Sequence, residues 1–123
     1  MTRLWLALAA GYGFLGVVLG AFGAHALKAR LDAELLAVWC TGVEHHFYHA
    51  LALLAVGMLA AQRPSPLLTA ACACFALGIP VFSGSLYALA LGAPRGLGAV
   101  TPVGGLLFLV GWALLAIWAL RSA

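Results

Sequence analysis

Glu44-His45-His46-Phe47-Tyr48-His49 gathers three imidazoles and a carboxylate into six residues of a chain that is 66% hydrophobic and 7% charged. Imidazole can donate and accept hydrogen bonds, carry a proton near neutral pH or ligate a metal, and a carboxylate can exchange a proton or pair with a cation. Such groups are costly to leave unpartnered inside apolar runs, so the cluster marks a candidate site. His45 and His49 stand four residues apart and His46 and His49 three apart. On a helix either pair could offer two rings to one transition metal. The metal reading therefore takes His25, His45, His46 and His49, with His25 contributed by a neighbouring helix. A b-type haem would need axial ligands on opposing helices, and His25 is the only histidine outside the cluster. The competing reading has these rings hydrogen-bonded to water, backbone or tyrosine. At 100° per residue the three clustered histidines occupy a sector about 100° wide, and Glu44 points about 150° away from its centre.

Glu44 needs a partner of its own, because an isolated carboxylate in hydrocarbon stays protonated or pairs with a cation. Lys28, Arg30 and Arg95 are the expected partners. The chain carries no nucleophile with an evident base, no phosphate-binding loop and no metalloprotease motif, so no enzyme is expected. Cys40, Cys72 and Cys74 form no CxxC pair and read as small buried hydrophobes.

The elements that must carry these residues are long apolar runs. In 123 residues they extend over about Leu4–Ala24, Ala33–Ala61, Pro66–Leu91 and Thr101–Leu120. A span needs about 20 residues, and a water-soluble domain keeps about a quarter of its residues charged. The expectation is a single membrane domain over residues 1–123, an all-α integral four-helix bundle in up-down-up-down order. The runs are too long for barrel strands and lack period-two alternation. Arg3 ahead of the first run imitates a signal peptide, but that run exceeds a typical signal core and reads as a retained span. Asp32, Ser65 with Pro66, and Thr101 with Pro102 are the expected helix starts. Pro80 cannot donate to the carbonyl of Ala76, which predicts a kink in the third helix near Ser83-Gly84-Ser85. Gly13, Gly16, Gly20 and Gly23 predict close helix packing.

The polar residues converge on the face of the first and third loops. A pocket there would combine His25, Glu44, His45, His46, His49, Ser83, Ser85, Tyr87 and Thr101. The six basic residues are dispersed as helix-end anchors, which argues against nucleic acid and for a lipid bilayer as the partner. Arg3, Arg63 and Arg121 fall on one side and Lys28, Arg30 and Arg95 on the other. The N-terminal amine tips this balance toward both termini in the cytoplasm.

Four segments in order resemble a widespread bacterial inner-membrane family of uncharacterised function that has small eukaryotic transmembrane relatives. They are Gly20-Ala21-Phe22-Gly23-Ala24-His25, His45 through Leu54, Phe82-Ser83-Gly84-Ser85-Leu86-Tyr87, and Thr101-Pro102-Val103-Gly104-Gly105 with Gly111-Trp112. The resemblance implies a multi-pass inner-membrane protein and supplies no reaction, substrate or cofactor. Many bacterial members carry Tyr-Gln where this chain has His45-His46, which favours His25 and His49 for any shared role. The expected function is a binding or accessory module, alone, as a homo-oligomer or within a larger membrane complex. The alternatives are a small homodimeric proton-coupled transporter using Glu44, and a metal- or haem-binding protein.

Overall fold

The computed structural model describes residues 2–122. Four helices account for most of them: α1 Thr2–His25, α2 Ala33–Gln62, α3 Pro66–Ala90 and α4 Thr101–Arg121. Short 3₁₀ segments at Leu27–Ala29 and Arg95–Ala99 lead into α2 and α4, and there is no strand among the described residues. The all-α class and the four expected runs are therefore present. Asp32 caps α2 by accepting a hydrogen bond from the Leu35 amide at 2.8 Å, and Ser65 caps α3 by accepting from Leu67 at 3.2 Å, with Pro66 in the first turn. Thr101 does not cap α4: Val100 holds the cap position without a side-chain bond, and the Thr101 hydroxyl is used elsewhere. Gly92 ends the α3 segment at a φ of 103°, a left-handed conformation suited to glycine.

The helices pack in chain order, α1 on α2, α2 on α3 and α3 on α4, with a lighter contact from α1 to α3. α1 and α4 do not pack closely, so the bundle is an open row. Its core includes Leu53, Val56, Leu68, Cys72, Phe75 and Ile79, and a smaller apolar cluster of Leu27, Trp39 and Ala90 seals the end bearing the first and third loops. Cys72 matches the expectation of a buried thiol, whereas Cys40 is exposed.

Helices in lipid gain no hydrophobic drive toward one another, so close approach and interhelical hydrogen bonds must hold them. Glycines provide the approach. A Cβ on Gly23 would meet the Trp39 indole nitrogen at 2.5 Å, and that nitrogen donates to the Leu19 carbonyl at 3.0 Å. A helical Cβ tilts back over the preceding turn, so glycine four residues on leaves the Leu19 carbonyl open to its neighbour. Gly104 seats α4 directly on the backbone of Phe82, while Gly16 receives the Phe47 ring. Gly20 makes an ordinary contact with Val43, and Gly13 meets nothing. The expected glycine stripe thus operates at Gly16, Gly20 and Gly23, and Gly13 falls outside the seam.

α3 continues as one helix through Pro80 to Ala90. The carbonyl that Pro80 cannot satisfy, on Ala76, instead accepts the Tyr12 hydroxyl of α1 at 2.6 Å.

Among the described residues, three segments are long and apolar enough to cross a membrane: Thr2–Ala29, Pro66–Ala90 and Arg95–Arg121. α2, the remaining expected span, is not among them. With 30 residues it is the longest helix, but Glu44 and its histidines lower its apolarity. It nevertheless lies against α1 at both ends, through Trp39 at Gly23 and through Gly57 at Trp5 and Leu6.

Tyr12→Phe should orphan the Ala76 carbonyl and cost about 1–2 kcal/mol of stability. Pro80→Ala supplies a backbone donor to that carbonyl. Thermal unfolding in detergent should therefore show a smaller Tyr12→Phe effect in the Pro80→Ala background. Equal effects in both backgrounds would exclude this account.

Candidate functional site

The clustered histidines do not act as one face. α2 lies between α1 and α3, and a rotation of about 100° from one residue to the next sends adjacent side chains to different neighbours. His46 enters the seam with α1 and α3. Its Nε2 lies 2.7 Å from the Tyr12 carbonyl oxygen, and its Nδ1 lies 2.9 Å from the Tyr87 hydroxyl. A carbonyl only accepts, so Nε2 carries the proton and donates, while Nδ1 accepts from Tyr87. The Tyr12 ring stands edge-on to His46, with centroids 5.8 Å apart.

His49 points toward α4. Its Nδ1–H donates to the His45 carbonyl at 2.8 Å, and its Nε2 accepts from the Trp112 indole at 3.1 Å. Indole N–H is a donor only, so the bond fixes a neutral His49 with its proton on Nδ1. The Phe108 ring lies flat against His49, at 3.5 Å between centroids and 5° between planes. One side chain thereby ties α2 to α4 across the row.

The hydroxyls on α3 divide in the same way. Ser83 is buried and donates to the Gly42 carbonyl of α2 at 2.7 Å, whereas Ser85 donates to the Phe82 carbonyl at 2.7 Å and shares a 2.6 Å bond with Thr101 of α4. Both serines face inward, as the sequence predicts, but neither hydrogen-bonds a histidine. Among the described residues, no buried side-chain nitrogen or oxygen lacks a hydrogen-bond partner. His46, His49, Ser83, Ser85, Tyr87 and Thr101 form saturated interhelical links.

His25 and Glu44 lie outside this cluster. His25 is exposed at the end of α1. Glu44 is also exposed, in a crevice of about 230 Å³ between α1 and α2 lined by Gly20, Ala24, Cys40 and Val43. That lining contains neither Lys28, Arg30 nor Arg95. The proposed metal set does not assemble either. Among the described residues, no three His, Cys, Asp or Glu side chains gather around a common point. Both buried imidazoles have both nitrogens committed.

His45 differs from the other two. It is half-buried, stacks near-parallel on His49 at 6.2 Å and 12°, and lies 4.9 Å from the Phe82 ring. None of the side-chain hydrogen bonds among the described residues uses its ring nitrogens. It borders a groove of about 550 Å³ between α2 and α4, whose other walls include Phe82, Pro102, Gly105, Leu106 and Trp112. Leu106 and Leu109, on the α4 wall, are 61% and 68% exposed, so the groove opens on the outer, apolar side of the helix row. The arrangement offers one hydrogen-bonding imidazole to a molecule held otherwise by rings and aliphatic carbon.

The sequence pocket omitted Tyr12, Phe108 and Trp112. Trp112 had a usable signal, since Gly111-Trp112 is among the segments that carry the family resemblance. Tyr12 had none, because its partners lie 34 and 64 residues away.

A family model described as "Protein of unknown function (DUF423)" matches residues 19–105. The chain is 43% identical over 120 residues to the UPF0382 inner membrane protein YgdD of Escherichia coli K12, covering 98% of this chain and 92% of YgdD. It is 41% identical over 121 residues to the UPF0382 membrane protein YwdK of Bacillus subtilis, covering 97% and 98% of the two chains. A UPF0382 membrane protein of Haemophilus influenzae is 43% identical over 122 residues, covering 99% of this chain and 98% of that protein. No solved structure matches the chain.

His46→Leu should orphan the Tyr87 hydroxyl and lower stability by about 1–3 kcal/mol. Glutamine, which the resembled family commonly carries there, can donate to one partner and accept from the other. His46→Gln should therefore retain most of the stability. Thermal unfolding of the two variants side by side separates a donor–acceptor requirement from simple loss of the ring.

Proposed function

The chain belongs to the DUF423 family of membrane proteins of unknown function, and we propose that it is a membrane-embedded binding module that receives an amphiphilic small molecule from the bilayer. The observation that carries this reading is the His45 ring, without a hydrogen-bond partner in the groove between α2 and α4. The surrounding polar residues are already saturated within the protein. The groove volume of about 550 Å³ lies within the range of small-molecule sites.

In this reading α2 crosses the bilayer despite its lower apolarity. Packing shields it between α1 and α3, and its histidines are satisfied by protein groups in place of water. The protein resides in a bacterial inner membrane, as the name of YgdD says of that relative. Both termini face the cytoplasm, which places the Pro102 end of the groove near the periplasmic surface.

Filling the groove tests the proposal. A Cβ on Gly105 meets only ordinary contacts with Phe82, the nearest at 3.8 Å, so Gly105→Leu can project into the groove without displacing backbone. Mass spectrometry of protein extracted in native-lipid discs should find an amphiphile retained stoichiometrically by the wild type. Gly105→Leu should lose it and His45→Leu should hold it more weakly. Equal retention by all three proteins would refute the groove as the site.

Glu44 supports a second reading. An exposed carboxylate in a crevice without a cation fits proton exchange better than structural pairing. Glu44→Gln should change stability by no more than about 0.5 kcal/mol. Proton-driven uptake into proteoliposomes that disappears in this variant would favour transport. Absence of any proton-coupled flux in the wild type would count against it.

A further inference from the structure

We infer that the molecule received by the groove is an isoprenoid quinone, an inference that rests on the binding reading above. Three features narrow the ligand class. The first is ring orientation: Phe108 and His49 are within 5° of parallel, and His45 is within 12° of His49. Phe82 leans between them, 4.9 Å from His45 and 5.4 Å from Phe108. Walls built from aligned rings favour a flat ring by offset stacking, a preference that an acyl chain cannot exploit.

The second feature is charge. The groove is lined by two histidines, by Phe82, Phe108 and Trp112, and by Pro102 with small or aliphatic residues of α4, with no lysine, arginine, aspartate or glutamate. A phosphate headgroup would enter without a cation to meet it, whereas a neutral headgroup incurs no such penalty. Both nitrogens of His49 and the Trp112 N–H are already committed. Only His45 remains to act, and a neutral imidazole can donate its N–H to a carbonyl oxygen. A quinone ring presents such an oxygen on a planar, uncharged head.

The third feature is the path out. From Pro102, in the first turn of α4, to Trp112, the groove follows ten residue steps, about 15 Å of helix. It passes Leu106 and Leu109 on the exposed side. A polar head near His45 would therefore leave its tail running along α4 into the lipid, the shape of a ring carrying isoprene units. The inference concerns binding and includes no electron transfer.

Trp112 is 46% exposed at the groove and provides a reporter, because a quinone in contact with an indole quenches its fluorescence. The experiment titrates decylubiquinone into the full-length protein in phosphatidylcholine nanodiscs. Wild type should show a saturable quenching component. It should disappear in Gly105→Leu, which keeps Trp112, and need about tenfold more quinone in His45→Leu, the loss expected for one hydrogen bond. Trp112→Phe should remove the signal while quinone extracted with the protein remains. Quenching that rises linearly and equally in all variants would overturn the quinone assignment. If a phospholipid is then retained in a Gly105-dependent manner, the groove reading stands and only the ligand class falls. If neither binds, both fall. A dimer dissolved by Gly105→Leu would show that a second copy covers the groove, and would overturn the assignment as well.

Discussion

Hydrocarbon supplies no hydrogen-bond partner, so each polar side-chain atom on these helices must find one within the protein or remain at an accessible edge. His46 is where that constraint acts most strongly. It donates to the Tyr12 carbonyl and accepts from the Tyr87 hydroxyl, while the Tyr12 hydroxyl satisfies Ala76. Three helices are thereby held in one register through two tyrosines and a ring. A slide by a single turn would leave several of these groups unpaired in an environment that cannot solvate them.

Glycine and ring shape make the saturation possible. Helices must approach closely before a side chain can reach a neighbour's backbone, and the rings of Phe47, Trp39, Phe82 and Phe75 rest over glycines on adjoining helices. The same close fit explains why His49 can bond Trp112 while lying flat on Phe108. With these demands met internally, His45 and Glu44 remain at opposite crevices of α2. Their availability follows from what their neighbours have already used.

Local chemistry made the helix starts at Asp32 and Ser65 legible, because capping depends on residues two or three positions away. The polar residues were also legible as a population on one face of the membrane domain. Their division was not. Helical angles place His45 and His46 about 100° apart, but they do not say that α3 will lie in that sector and part them. Pro80 identified the Ala76 carbonyl as deprived of its donor, yet its substitute comes from Tyr12 on another helix. The metal set failed for the same reason: spacing along α2 cannot show that His46 and His49 are already committed to hydrogen bonds with different neighbours.

The sequential packing also bears on how the chain is made. A nascent α1 is apolar enough to enter a bilayer on its own, whereas α2 arrives with ionisable groups and lower apolarity. Its first partner is already in place, since the Tyr12 carbonyl and the Leu19 carbonyl await His46 and Trp39. α3 then brings the Tyr87 hydroxyl, and α4, the last to emerge, brings the Trp112 donor for His49. During biosynthesis, therefore, α2 must endure an interval in which His49 has only its own-helix bond. Translation rate and the insertion machinery's hold on unfinished chains would decide how often that interval ends in a correctly inserted protein.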